Sequence, residues 1–156
     1  MSVVRYVTLA ALVVWLGGML ILGGVVAPAA FDVLPRVALD GRAIAGDVFG
    51  EILRRFHLVA YGCGAIIFVG LFVMKFVGPP PAAFVPRAAI VAAMLAVAAY
   101  SGQIVSPEIE ALQADARASL HSHHSARFDS LHERSTLLMT LNLGLGLVLL
   151  YWHARE

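Results

Sequence analysis

The chain has little charge, a single cysteine and no acidic side chain inside any of its long apolar runs. Charged residues make up 13% of 156 positions against 60% hydrophobic ones, far too few to cover a soluble domain of this size, so a globular protein in water is excluded and a bilayer is the expected solvent. The formal charge of +1 is spread along the chain without a basic arm or stripe, which excludes phosphate-backbone binding and with it nucleic acid as a partner. With Cys63 alone, neither an intrachain disulfide nor a multi-cysteine metal cluster is available. All ten acids lie outside the apolar runs, so a carboxylate proton relay across the membrane has no carriers. There is also no nucleophile, base and acid constellation and no phosphate loop, and enzyme activity is not expected.

What the sequence does have is four apolar runs of roughly the ~20 residues that cross a ~30 Å hydrocarbon layer, at about 7–26, 58–77, 88–105 and 137–152. The expected fold is therefore all-α: a compact four-helix transmembrane bundle forming one domain over residues 1–156. The first run follows Arg5 and ends near the small residues GGVVAPAA, as a secretory leader would, but it exceeds the ~7–15 residues of a leader core and reads as a retained helix. Four crossings put both termini on one side with the short link GPPPAAFVPR, residues 78–87, and two long polar connections on the other. Arg5, Lys75, Arg87 and Arg155 crowd the terminal side, which points to a multi-pass cell-membrane protein with cytoplasmic termini. Tyr6, Tyr151 and Trp152 supply an aromatic belt there.

Small residues mark where helices approach: Gly17, Gly18, Gly23 and Gly24 in the first run, Gly62 and Gly64 in the second, Ala89, Ala92, Ala93 and Ala96 in the third, Gly144 and Gly146 in the fourth. Trp15, too deep for an interfacial belt, is expected to fill space beside a neighbouring helix. In the second long connection Ser106, Pro107, Glu108 and Glu110 spell a helix start. Ile109, Leu112, Ala116 and Leu120 then give that helix an apolar face, so an amphipathic helix along the membrane surface is expected after the third span.

Displacing the sequence by 79 residues aligns Gly23 with Gly102, Val26 with Val105, Pro28 with Pro107, Phe49 with Phe128, Ile52 with Leu131, Arg55 with Arg134 and Leu58 with Leu137. The expectation is two tandem helical hairpins, about 1–79 and 80–156, in the same orientation, with the two prolines ending the first and third spans and the two arginines starting the returning ones.

Several of these stretches resemble a known family. The order W-x-G-G, then proline, then phenylalanine in the first hairpin, RRFHLVAYGCG at 54–64, SPEIEALQ at 106–113 and FDSLHERSTLLMTLNLG at 128–144 are similar to the transmembrane protein 205-like family. The resemblance spans almost the whole chain and implies a four-helix membrane domain of no established reaction. A weaker similarity, through WLGGMLILGGVVAP at 15–28, runs to membrane domains of the copper-resistance D type, which carry a histidine upstream of the tryptophan where this chain has Tyr6 and Thr8.

Six histidines are the remaining chemistry. His57 opens the second span beside Arg54 and Arg55, and His132 precedes the fourth beside Glu133 and Arg134. Three readings stand side by side: interfacial polarity, with arginines reaching the headgroups; a cofactor site in which His57 and His132 ligate haem or a transition metal ion; or an anionic ligand held by Arg55 and Arg134. His121, His123 and His124, in the polar tract ASLHSHHSARFDSLHERS, are a second, weaker metal site, a pH-responsive lid, or solvated. The expected function is handling of a small ligand or metal at the face carrying the long connections. The alternative is a non-catalytic accessory or scaffold subunit packing in a homo-oligomer or a larger membrane complex.

Overall fold

A computed structural model describes residues 2–77, 83–118 and 126–155. The order is α1 (Ser2–Ile21), a π-helical segment π1 (Leu22–Val26), α2 (Ala27–Val37), α3 (Gly41–Val77), α4 (Phe84–Tyr100), a second π-helical segment π2 (Ser101–Val105), α5 (Ser106–Ala118) and α6 (Ala126–Ala154). Among the described residues there is no strand. Four helical stretches are long and apolar enough to cross a membrane, Ser2–Val37, Gly41–Val77, Phe84–Asp115 and Ser130–His153, so the chain is an all-α, multi-pass membrane bundle.

The rods are longer than the apolar runs that define them. α3 has 37 residues and spans about 55 Å at ~1.5 Å per residue, against ~30 Å of hydrocarbon. Its first half therefore projects from the membrane, where α2 and α5 pack on it. Within the bilayer α1 packs on α3 and α6, and α4 packs on α3 and α6, which closes a ring of antiparallel neighbours. The core lies along its axis, with Leu12, Trp15, Ile67, Leu71, Val91, Met94 and Leu149 almost wholly enclosed.

Pro28 and Pro107 do not end their helices. Each stands two residues beyond a π segment and the chain continues helically, because the wider π turn relieves the clash that a proline ring makes with the carbonyl four residues earlier. Ala27 and Ser106 accordingly bond back five residues, to the carbonyls of Leu22 and Ser101. π1 and π2 are themselves displaced by 79 residues. The helix expected after Pro107 is present as α5, but it prolongs α4 through π2 and packs on α3 and α6 instead of starting afresh. Ser106 has helical φ and ψ of −63° and −47°, and its buried hydroxyl has no partner among the described residues, so it caps nothing. Arg55 and Arg134 likewise fall inside α3 and α6, which begin at Gly41 and Ala126.

Of each glycine pair, one member meets a neighbour and the other faces open space. Cβ atoms at Gly18, Gly23, Gly64 and Gly146 would run into Phe56, Met139, Leu95 and Leu16, whereas Gly17, Gly24, Gly62 and Gly144 have nothing within 4 Å. Residues one or two apart on a helix point in different directions, so only one of the two can reach the same neighbour.

Candidate functional site

At the membrane edge, where α3 crosses π2, the close packing opens. A cavity of about 180 Å³ is lined by Arg54, His57, Leu58 and Tyr61 from α3, Gly102 and Gln103 from π2, and Ser106, Pro107 and Glu110 from α5. Gly102 lets π2 pack closely on this wall: a Cβ there would stand 2.7 Å from the Tyr61 hydroxyl and 2.9 Å from the His57 ring. His57 is 9% exposed and its Nδ1–H donates to the Leu53 carbonyl at 2.9 Å. A carbonyl only accepts, so Nδ1 carries a proton, and in the neutral ring Nε2 is then the acceptor. Tyr61 packs obliquely on the His57 ring, with centroids 6.2 Å apart, and donates its O–H to the Ala98 carbonyl at 3.3 Å.

Next to this cavity, away from the apolar run, a second of about 260 Å³ is lined by Gly46, Asp47, Gly50, Glu51, Arg54 and Glu110. Arg54 and Glu110 belong to both walls. Gly46 and Gly50, one turn apart on α3, let α5 come close: Cβ atoms there would lie 2.8 Å from Gln113 and 3.6 Å from Glu110. Arg54 is fixed by a two-toothed ion pair with Glu51, Nε at 2.8 Å and Nη2 at 2.9 Å, and Glu51 also accepts from Arg55 Nε at 2.7 Å.

The expected site residues are distributed unevenly over this geometry. His57 lines the first cavity. His132 is exposed on α6 and lines neither cavity, and its carbonyl accepts from Thr136. Arg55 is exposed, engaged by Glu51 and outside both walls. Arg134 is exposed too and lines neither cavity. His121, His123 and His124 lie outside the described residues. Among the described residues no group of three or more His, Cys, Asp or Glu side chains gathers as a metal ion requires.

Tyr61, Gly102, Ser106, Glu110 and Arg54 were not singled out as site residues by the sequence. A signal for one existed: the inward stripe of α3 runs back through Ile67, Gly64, Ala60 and His57. Three residues further back it reaches Arg54, not Arg55.

No curated protein and no solved structure matches the chain. A family model described as a domain of unknown function, DUF4149, matches residues 10–118, from α1 to the end of α5 and thus across every residue of both cavities. The protein belongs to this DUF4149 family of uncharacterised membrane domains.

Proposed function

We propose that the protein binds a small ligand in the His57 cavity, on the face that carries the two long connections. The observation that carries this reading is the opening itself: π2 and Pro107 border a largely apolar void, with a few polar groups in its wall, beside a buried histidine. π-helical turns recur at functional sites because the widened turn is costly to keep. At about 180 Å³ the space is below the ~300–1,000 Å³ of drug-sized sites, too small for a haem macrocycle and ample for a molecule of a few heavy atoms or a hydrated transition metal ion.

The proposed tandem hairpins sharpen the point. π1 and π2 stand in the 79-residue register, with Gly23 and Gly102 in equivalent places. In the half where α3 offers His57, Ala60 and Tyr61, α6 offers Thr136, Met139 and Thr140, and the Met139 methyl fills the space beside Gly23 at 2.7 Å from a Cβ there. The two copies therefore differ in what faces the glycine, the His57 and Tyr61 side chains in one and Met139 in the other. We also assign the chain to the transmembrane protein 205-like group on its quoted motifs, with cytoplasmic termini on the density of basic residues beside them.

Gly102→Leu tests the reading, since the new side chain must displace the His57 and Tyr61 side chains from the cavity wall. Native mass spectrometry and elemental analysis of gently solubilised protein should find a ligand or metal on the unaltered chain and none on Gly102→Leu, with both equally helical by circular dichroism. An unaltered chain that carries and takes up nothing would point instead to the accessory-subunit reading, and a partner recovered equally well by both proteins would support it.

A further inference from the structure

The class of molecule that suits the His57 cavity follows from the balance of its walls, and the inference rests on that cavity being a binding site. Most of the lining is apolar, with Leu58, Tyr61 and Pro107 in it. Its two charged members, Arg54 and Glu110, are of opposite sign and both exposed, and Arg54 already holds Glu51 through Nε and Nη2. Neither sign of ligand gains from that pair. An anion drawn to Arg54 meets the fields of Glu51 and Glu110, a cation drawn to Glu110 meets that of Arg54, and either must leave water for a mostly apolar space. The polar groups that remain are neutral. His57 is 9% exposed, gives Nδ1–H to the Leu53 carbonyl and in its neutral ring has Nε2 left as an acceptor. Tyr61 has given its proton to Ala98. A serine inside a helix ordinarily returns its proton to a carbonyl three or four residues back. The Ser106 hydroxyl does not: it is buried with no partner among the described residues, so it keeps a proton to give.

We infer that the His57 cavity takes a small neutral alcohol, an apolar body with one hydroxyl that donates to Nε2 of His57 and accepts from Ser106. A hydroxyl is one donor with two lone pairs, so a single oxygen matches both wall groups, whereas a pure hydrocarbon leaves them unsatisfied. The size agrees. An apolar space of ~150 Å³ holds a benzene ring, and one of about 180 Å³ holds a six-carbon ring with its oxygen. The place agrees too: Leu58, the first residue of the apolar run at 58–77, both lines the cavity and is 64% exposed, so the opening lies where the hydrocarbon of the bilayer begins. An apolar alcohol concentrates there by partition, whereas an ion does not.

Cyclohexanol, cyclohexylammonium, cyclohexanecarboxylate and methylcyclohexane share one body and differ in a single substituent. With the full chain in detergent at pH 7, isothermal titration should give saturable 1:1 binding of cyclohexanol and at least tenfold weaker binding of each of the other three. Gly102→Leu should abolish it, and the heats of that variant are the blank for partition into micelles. Ser106→Ala, which removes one oxygen and suits a helix, and His57→Phe, which keeps a ring without the acceptor, should each weaken cyclohexanol at least fivefold and leave methylcyclohexane unchanged. An ion of either sign that bound as tightly as the alcohol, and was lost in Gly102→Leu, would overturn the neutral ligand while leaving the binding site intact. Methylcyclohexane bound as tightly, or cyclohexanol indifferent to both Ser106→Ala and His57→Phe, would overturn the hydroxyl. Indifference of all four titrations to Gly102→Leu would remove the site itself, and the inference with it.

Discussion

Replacing Trp15 with alanine is expected to lower the stability of the bundle by about 3 kcal/mol, the low end of the ~3–5 kcal/mol seen for burying and then deleting a large aromatic. Trp15 is 1% exposed and stands against α3 at Gly64, where a Cβ would lie 3.1 Å from its ring and collide with Leu95. The low end applies because the separated helices would still be bathed in apolar lipid, so the loss is close packing and not transfer from water. Gly64→Val attacks the same contact from the other side, forcing methyl groups into Leu95 and Trp15, and should cost about 1–3 kcal/mol by overpacking. The two changes are coupled: in the Trp15→Ala background the valine enters space already vacated, and its cost should fall below half. Unfolding by SDS in mixed micelles, followed by helicity, measures all four proteins. Strict additivity would mean that the two side chains do not share one space.

That contact was legible in the sequence for a simple reason. A tryptophan in mid-membrane has no water to reach, and a glycine in a facing span has room to give, so both residue types point to the same packing event. The crossings themselves were legible from run length, and so was their antiparallel order, because short and long connections alternate. Legibility failed where one residue supports two backbone outcomes. Pro107 after Ser106 and before Glu108 satisfies every rule for a helix start, yet the same proline is tolerated inside a helix once the preceding turn widens to π. Sequence rules see the missing N–H and not the turn that accommodates it.

The site failed in a different way. Arg54 and Arg55, or Leu131 and His132, are chemically obvious as neighbours in sequence but sit about 100° apart around a helix. Leu131 is 5% exposed and His132 faces outward, so a one-residue difference in phase decides which one can meet another helix. The pairing of His57 with His132 was drawn from similar depth along two helices. Depth fixes only one coordinate; the face is the other. For His57 the face is set by the stripe through Ala60, Gly64 and Ile67, and across from that stripe lies π2, not His132.

The largest expected effect on the cavity comes from removing the extra residue that π2 holds. Deleting Gln103 should convert Ser101–Val105 to ordinary α-helix while leaving α4 and α5 in their present directions, because a π turn differs from an α turn by one residue. The carbonyl four residues before Pro107 would then press on its ring, and the proline would cost about 3 kcal/mol, as it does in any helix interior. The deleted protein should therefore be strongly destabilised, and Pro107→Ala in the same chain should recover most of the loss by restoring an N–H donor and removing the ring. Pro107→Ala alone, with Gln103 retained, should be mild, since π2 already accommodates either residue. The double variant then becomes the useful one: a stable, continuous α-helix in which the residue at position 102 is turned and the space beside His57 and Tyr61 is closed. SDS unfolding should rank the chains as unaltered protein and Pro107→Ala together, the double variant close behind, and the simple deletion far below. The small ligand that native mass spectrometry detects on the unaltered chain should survive in Pro107→Ala and vanish in the double variant. A deletion variant as stable as the unaltered chain would show that the proline is not what holds the π turn open, and a double variant that still carried the ligand would show that the π turn is not what makes the cavity.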